Sequence, residues 1–189
     1  MLVLEAGQIK KYYGDRLIIG FDEFKVYSGD KIGIVGRNGS GKTTLLNILS
    51  NEVEPDAGFV KRYCNIVYIR QLSDKMIDAE RKILKEFNLA DQKTFSGGEQ
   101  TRIKIANALS KEKLLMLADE PTANLDYQGV ELLQQQLAAI DSLCLISHDR
   151  LLLDRLCNRI IEVKHGRLNF YNGNYSFYLN IVLELVDGG

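Results

Sequence analysis

The stretch Gly36-Arg37-Asn38-Gly39-Ser40-Gly41-Lys42-Thr43 decides the fold. It matches G-x-x-x-x-G-K-[ST], a pattern whose glycines let successive backbone N–H groups surround phosphate oxygens. The residues before it, Lys31-Ile32-Gly33-Ile34-Val35, predict a short apolar strand, and the residues from Lys42 to about Ser50 predict a helix. A strand, a glycine-rich loop and a helix in this order predict a nucleotide-phosphate site.

Lys42 and Thr43 carry the most specific predictions of this phosphate loop. We expect the Lys42 ammonium to contact the β- and γ-phosphates and the Thr43 hydroxyl to ligate Mg²⁺. The helix that follows adds the positive end of its dipole. The alternative is a chance match, which the flanking strand and helix argue against. The cofactor-binding candidates of the loop are Gly36, Arg37, Asn38, Gly39, Ser40, Gly41, Lys42, Thr43 and Thr44.

Outward from the loop, apolar strands alternate with helices as far as residue 157. Leu114–Ala118 and Leu143–Ile146 are continuous apolar runs, as strands buried on both faces are. This alternation predicts an α/β fold with a parallel sheet and crossover helices. Further predicted strands cover 2–9, 16–27, 65–70, 159–164 and 167–171. Further predicted helices cover 79–88, 96–109, 128–139, 149–157 and 175–186.

Composition excludes several classes of protein. The chain has 189 residues, 46% of them hydrophobic, which is enough for the core of one domain. The formal net charge of −1 provides no global basic field, so we expect no direct DNA binding. The three cysteines lack metal-ligand spacing, and no apolar run reaches the ~20 residues of a membrane span. We therefore expect a cytoplasmic protein without membrane insertion.

A second acidic element follows one of the buried strands. Asp119 and Glu120 come directly after Leu114–Ala118, where ligands bind at the carboxyl ends of parallel strands. Asp119 is the candidate Mg²⁺ partner, through water, and Glu120 is the candidate general base that activates the attacking water. A helix-capping role for the two carboxylates is the alternative. The phosphate loop in the same chain favours the catalytic interpretation.

The segment Phe95-Ser96-Gly97-Gly98-Glu99-Gln100 carries a family resemblance. Ser96 and Glu99 form a capping box, and the N–H groups of the two glycines would make this helix start an anion site. The segment resembles the signature of the ATP-binding cassette (ABC) superfamily, commonly Leu-Ser-Gly-Gly-Gln, with Phe for Leu and Glu for Gln. The resemblance implies a P-loop NTPase fold with an ABC ATPase core and an antiparallel β subdomain.

Other family markers follow in the expected order over residues 1–173. Gln71 resembles the Q-loop glutamine, Pro121–Asp126 the D-loop, and His148 the switch histidine that contacts the γ-phosphate. Tyr13 resembles the aromatic residue that stacks on adenine, although the adjacent Tyr12 could take that role and a stacked tyrosine also accepts guanine. The resemblance thus implies catalytic roles for Glu120, His148 and Gln71, nucleotide contacts for Tyr13, Ser96, Gly97, Gly98, Glu99 and Asp126, and metal ligation by Thr43, Gln71 and Asp119.

The family's architecture implies that one chain holds only half-sites. In these proteins each ATP lies between the phosphate loop of one cassette and the signature of the other. Ser96, Gly97 and Gly98 would therefore act on the ATP of a second cassette, in a homodimer or in a missing C-terminal cassette. We expect an isolated chain to bind ATP and to hydrolyse it slowly.

Two features indicate the kind of cassette. Only 25 positions (96 − 71) separate Gln71 from Ser96, which implies a shortened helical subdomain, whereas transporter cassettes carry a larger one. Tyr171–Tyr178 contains Gly-Asn-Tyr-Ser, which resembles the end of the first cassette in ABC-F proteins, as does the Glu99 variant. No room exists for the arm found in many ABC-F proteins. The combination resembles ABC-F antibiotic-resistance proteins, which implies a ribosome as partner of the full-length relative.

Residues 1–173 are thus expected to form the ATPase domain, and residues 174–189 a tail that begins a truncated interdomain linker. Two alternatives remain beside the hypothesis of an ABC-F protein. The chain could be the ATPase subunit of an ABC transporter, which would associate with a membrane partner. It could also be a nucleotide-binding module without turnover. Loss of hydrolysis with retained ATP binding in Glu120→Gln would favour an enzyme over the binding module.

Overall fold

The fold is described from a computed structural model, which covers residues 1–70, 114–123, 125 and 127–187. The strands are β1 (Leu2–Tyr13), β2 (Arg16–Tyr27), β3 (Lys31–Val35), β4 (Ala57–Arg62), β5 (Asn65–Ile69), β6 (Leu114–Asp119), β7 (Ser142–Ile146), β8 (Arg159–Lys164) and β9 (Arg167–Tyr171). The helices are α1 (Lys42–Ser50), α2 (Tyr127–Ala138), α3 (Arg150–Leu156) and α4 (Tyr175–Asp187). None of these helices is long and apolar enough to cross a membrane.

The larger sheet confirms the predicted α/β fold. Its strand order is β5-β6-β7-β3-β8-β9, and every neighbouring pair is parallel except the hairpin of β8 and β9. Because β6, β7 and β3 are adjacent and parallel, the segments that follow them emerge at the same edge of the sheet. The phosphate loop follows β3, Asp119 ends β6, and His148 comes shortly after β7. The topology therefore brings these predicted site residues to one edge.

The apolar runs of this sheet are buried on both faces. Leu115 and Leu117 of β6 belong to a core formed with α1 and the first two strands, whereas Met116 and Ala118 belong to a core formed with α2, α3 and α4. All four side chains are fully buried. Each large aliphatic side chain buried in this way contributes about 1.5–3 kcal/mol. The continuous apolar pattern of β6 thus has the physical cause that the sequence predicted.

The smaller sheet is antiparallel, as predicted, but two of its strands differ from the prediction. Its order is β2-β1-β4 and all its pairs are antiparallel. The prediction that the first strand ends at residue 9 is wrong, because β1 continues to Tyr13 through register shifts. The strand β4 was not predicted, because it is a largely exposed edge strand without apolar alternation. The predicted helices at 79–88 and 96–109 lie outside the described residues.

The Gly-Asn-Tyr-Ser segment fixes the start of α4. Asn174 Oδ1 accepts a hydrogen bond from the Phe177 N–H at 3.0 Å, and Asp154 Oδ1 accepts one from the Ser176 N–H at 2.7 Å. A Cβ on Gly173 would lie 2.4 Å from the Phe177 ring, so a larger residue would displace that ring. Tyr178 is buried against the sheet. The helix α4 is therefore docked on the domain and continuous with its core.

Candidate nucleotide-binding site

The backbone of the phosphate loop requires its glycines. Gly36, Gly39 and Gly41 have φ angles of 148°, 74° and 107°, which L side chains rarely adopt. A Cβ on Gly36 would also lie 2.4 Å from the backbone oxygen of Val163 in β8. The helix α1 begins directly after Gly41, and no side chain caps it. Its first N–H groups therefore remain available to an anion bound in the loop.

Lys42 lies across the loop. Its Nζ donates hydrogen bonds to the carbonyl oxygens of Gly36 at 2.9 Å and of Arg37 at 3.0 Å. Partial burial lowers the pKa of Lys42, while the carboxylates of Glu120 and Asp119 oppose that shift. The ammonium is thus held beside the loop's N–H groups, as close phosphate contact requires.

A second observation on the loop fits a phosphate group. The Ser40 Oγ atom is buried and has no hydrogen-bond partner among the described residues. A buried hydroxyl without a hydrogen-bond partner destabilises the fold by about 1–3 kcal/mol. A bound ligand atom that hydrogen-bonds to Ser40 Oγ would remove this penalty. A phosphate oxygen matches the chemistry of this hydroxyl and of the Lys42 ammonium beside it.

Thr43 and Asp119 form the candidate metal site. The Thr43 Oγ1 donates a hydrogen bond to Asp119 Oδ2 at 2.7 Å and thereby joins the first turn of α1 to the end of β6. A hydroxyl and a carboxylate are oxygen ligands of the kind that Mg²⁺ prefers. Among the described residues, no group of three or more His, Cys, Asp or Glu side chains is placed to hold a metal ion. Mg²⁺ is commonly held by one or two carboxylates together with waters and substrate phosphates.

Glu120 adopts an unusual conformation at the end of β6. Its φ angle is 48°, in the left-handed region, and its N–H donates to the Ile146 carbonyl at 2.9 Å. That bond continues the β6–β7 ladder by one residue. A non-glycine residue in this region is strained, and such strain clusters at functional sites.

The Glu120 carboxylate is close to His148. Oε2 accepts a hydrogen bond from the His148 backbone N–H at 3.3 Å, and Oε1 lies 3.3 Å from His148 Nε2. The Oε1 atom is buried and lacks hydrogen-bond geometry to any described residue, so this distance marks an ion pair only when the imidazole is protonated. Burial raises the pKa of Glu120, and His148 counteracts part of that rise. A carboxylate oxygen of this kind can accept a proton from water.

The candidate base-binding residues lie at the tip of the β1–β2 hairpin. The Tyr13 side chain is 54% exposed and that of Tyr12 is 40% exposed, so both rings could stack on a base. A cavity of ≈ 340 Å³ lies next to the phosphate loop. It is lined by Arg16, Leu17 and Ile18 of β2, by Asn38, Gly39 and Ser40, and by His165 and Gly166. A larger cavity of ≈ 480 Å³, between β1, β2 and β9, contains no residue of the phosphate loop.

The structure therefore brings together one part of the predicted site. Lys42, Thr43, Asp119, Glu120 and His148 converge at one edge of the larger sheet. Arg16 and His165, which line the smaller cavity, were not predicted, because they come from distant parts of the chain and match no motif. The predicted site residues outside the described residues are Gln71, Ser96, Gly97, Gly98, Glu99 and Asp126.

Comparisons with known proteins identify relatives of this chain and structures that share its fold. The family model described as "ABC transporter" matches residues 22–82 and 69–123. The chain is 32% identical over 188 residues to the erythromycin resistance ATP-binding protein MsrA of Staphylococcus epidermidis, covering 94% of this chain and 38% of that protein. It is 34% identical over 175 residues to the ribosome protection protein VmlR of Bacillus subtilis (strain 168), covering 87% and 32%. A nucleotide-free ATP-binding cassette from an ABC transporter shares the fold, with a TM-score of 0.72, 20% identity and coverage of 96% and 95%.

The chain belongs to the ABC transporter family and has the fold of an ATP-binding cassette. The relatives MsrA and VmlR are ABC-F proteins, which agrees with the resemblance of residues 171–178. The chain spans 38% and 32% of the lengths of these two relatives.

Proposed function

We propose that this chain binds Mg·ATP on its phosphate loop and hydrolyses it in a site completed by a second cassette. The observation that carries the proposal is the convergence of Lys42, the Thr43–Asp119 pair and the Glu120–His148 pair at the ends of β3, β6 and β7. These are a phosphate-binding cation, a metal-binding pair and a base. Phosphoryl transfer requires such groups around one nucleotide.

Each of these residues has a defined role in the proposed reaction. Lys42 contacts the phosphates and neutralises part of their charge, and Thr43 and Asp119 hold Mg²⁺. When bound, Mg²⁺ neutralises charge on the β- and γ-phosphates and orients them. The Glu120 carboxylate orients a water for attack on the γ-phosphorus and takes its proton as the bond to the β–γ bridging oxygen breaks. His148 holds a carboxylate oxygen of Glu120 through its backbone N–H. In this proposal the His148 ring contacts the γ-phosphate, as the resemblance to the switch histidine implies.

The second half of each site comes from another cassette in this proposal. Ser96, Gly97, Gly98 and Glu99 act on the ATP bound by that cassette, whereas Gln71 and Asp126 contact the chain's own nucleotide and metal site. Tyr13 stacks on the base. The second cassette is either another copy of this chain or a cassette of a longer protein. The slow turnover expected of a single cassette follows from this division.

The cellular role that we propose is that of a cytoplasmic ABC-F factor that acts on the ribosome in antibiotic resistance. Two observations support it. The chain is similar to MsrA and VmlR, whose names refer to erythromycin resistance and ribosome protection. The sequence Gly173-Asn174-Tyr175-Ser176 also spans the start of α4. In this proposal residues 1–173 act as the ATPase domain, and residues 174–189, whose helix α4 packs on that domain, begin an interdomain linker. The transporter-like neighbour described above is only 20% identical, which supports a shared fold and no particular partner.

Light scattering combined with phosphate release tests the ATPase proposal. The wild type should bind ATP and form a dimer, and Glu120→Gln should trap that dimer with turnover reduced about 10²–10⁴-fold. The control is Glu131→Gln, on the exposed face of α2, which should leave dimerisation and turnover unchanged. Equal turnover in Glu120→Gln and wild type would contradict the general-base role. A chain that binds ATP but stays monomeric and inactive at high concentration would contradict assembly from two copies.

Ribosome sedimentation tests the cellular proposal. ATP-bound Glu120→Gln should pellet with ribosomes more than Lys42→Ala, which is expected to lose the phosphate contacts. Pelleting that is equal for both variants would contradict nucleotide-controlled ribosome binding. It would leave the ATPase proposal, which light scattering tests separately, unaffected.

A further inference from the structure

The end of β1 that carries Tyr13 extends beyond the backbone ladder with β4. The last pair between these strands joins Lys10 to Ala57, and β1 shifts its register against β2 between Lys11 and Tyr12. Backbone groups on the β4 side of this segment therefore lack a strand neighbour. A hairpin tip that pairs with a neighbouring strand on one side only holds an aromatic ring less firmly than a strand paired on both sides.

The side chain of Asp56, which lies one residue before β4, replaces the missing ladder. Its Oδ2 accepts a hydrogen bond from the Tyr12 N–H at 2.7 Å, and its own N–H donates to the Lys10 carbonyl at 2.8 Å. The other carboxylate oxygen, Oδ1, accepts a hydrogen bond from Lys11 Nζ at 3.0 Å. The Tyr12 N–H, and then Lys11, lower the pKa of Asp56, so the carboxylate is ionised at neutral pH. The backbone and the side chain of Asp56 together thus contact three consecutive residues of the tip.

These contacts reach the Tyr13 ring from two sides. The Tyr12 N–H bond fixes the Lys11–Tyr12 peptide, one residue before Tyr13, and the Lys11 ammonium, held by Asp56, lies 6.0 Å from the centroid of the Tyr13 ring. That distance is at the outer limit of a cation–π contact. On the other strand, Tyr13 pairs with Arg16 around the turn at Gly14, whose φ is 60°. The backbone on both sides of the ring is therefore constrained before any ligand binds.

We propose that Asp56 is a positioning residue for recognition of the nucleotide base. It orders the β1 tip so that the Tyr13 ring is pre-oriented for stacking, which reduces the conformational entropy lost on binding. Asp56 itself touches no ligand. The inference rests on the proposed function, in which Tyr13 stacks on the base.

The role of Asp56 predicts an effect confined to ligands that carry a base. Calorimetry would measure the affinities of Mg·ATP and of Mg·tripolyphosphate, which has the phosphates alone, for the full chain and its variants. Asp56→Ala should weaken Mg·ATP about threefold to tenfold, the contribution of one ordered hydrogen bond, and should leave Mg·tripolyphosphate unchanged. Asp56→Asn keeps an oxygen that can accept from the Tyr12 N–H, so it should restore most of the ATP affinity.

Two further variants complete the design. Asp22→Ala, at an exposed aspartate within β2, is the matched control and should change neither affinity. Lys11→Met keeps the length of the side chain but removes its charge, and it should weaken Mg·ATP less than Asp56→Ala does. Equal weakening of both ligands by Asp56→Ala would show a purely structural role and overturn the inference. Unchanged ATP affinity in that variant would overturn it as well.

Tyr13→Ala separates failure of the inference from failure of the proposed function. If Tyr13→Ala weakens Mg·ATP and Asp56→Ala does not, the inference fails while the stacking role of Tyr13 stands. If Tyr13→Ala leaves Mg·ATP affinity unchanged, the stacking role fails and the inference fails with it. Binding of Mg·tripolyphosphate by every variant shows that each one is folded around the phosphate loop.

Discussion

Glycine at position 120 should give a more stable fold than alanine at that position, and both substitutions should abolish ATP turnover. Glu120 has a φ of 48°, and a residue with a Cβ is destabilised by about 1–2 kcal/mol in this left-handed conformation. Glycine adopts it without that penalty but loses more backbone entropy on folding, by roughly 0.5–1 kcal/mol. At the midpoints of these two ranges, about 1.5 and about 0.75 kcal/mol, the net advantage of glycine over alanine at this position is about 0.75 kcal/mol. Both substitutions remove the carboxylate, so their difference isolates the backbone conformation.

Differential scanning calorimetry of nucleotide-free protein at neutral pH measures this difference. For a chain of this size, 1 kcal/mol shifts Tm by about 2–4 °C, so Glu120→Gly should unfold a few degrees above Glu120→Ala. The same pair at Glu131, inside α2, should show the reverse order, because alanine exceeds glycine by about 1 kcal/mol in a helix interior. If Glu120→Gly were no more stable than Glu120→Ala while the Glu131 pair behaved as expected, the strain at Glu120 would be refuted.

Two further variants probe the metal site and the C-terminal helix. Thr43→Val removes the hydroxyl that contacts Asp119, so it should weaken ATP binding about tenfold in the presence of Mg²⁺ but little in EDTA, as measured by calorimetry. Thr43→Ser should restore binding, and equal weakening in both buffers would contradict metal ligation. Glu162→Ala removes the acceptor of the Tyr178 hydroxyl, which lies 3.3 Å away, so the amides of α4 should exchange with deuterium about tenfold faster. Unchanged exchange would mean that apolar packing alone holds α4.

Local chemistry made the phosphate site predictable. The loop from Gly36 to Thr43 is contiguous, and the conformations of its glycines are a local property of the chain. Asp119 could be joined to Thr43, 76 positions away, because both belong to one oxygen-ligand chemistry and parallel strands end at a common edge. The burial of β6 on both faces was predictable because its residues form a continuous apolar run. In each case one physical rule was enough to connect the residues.

Long-range pairing of exposed segments was not predictable in this way. The strand β4 carries Gly58, whose φ is 95° and whose Cβ would lie 2.5 Å from the backbone oxygens of Gly7 and Gln8. In the sequence, the only sign of such a close backbone contact is a glycine, and many glycines occur for other reasons. Asp56 is 44 positions from Tyr12, and nothing in its neighbourhood distinguishes it from a solvated acidic residue. Such contacts become visible only when the register of the strands is known.

The two sheets meet at the proposed nucleotide site, and this explains why its parts are so dispersed in the sequence. The larger sheet supplies the phosphate and metal groups, whereas the hairpin of the smaller sheet supplies Tyr13. The carbonyl oxygen of Ile18 in β2 would lie 3.1 Å from a Cβ on Gly41 and equally close to one on Gly166, and Gly166 accepts a hydrogen bond from the Gly20 N–H at 2.7 Å. These two glycines let β2 pack between the start of α1 and the β8–β9 turn. One nucleotide must stack on Tyr13 and contact Lys42 at the same time, so its binding affinity depends on how these two sheets are joined. Contacts that order the hairpin therefore change the affinity for the nucleotide without touching it.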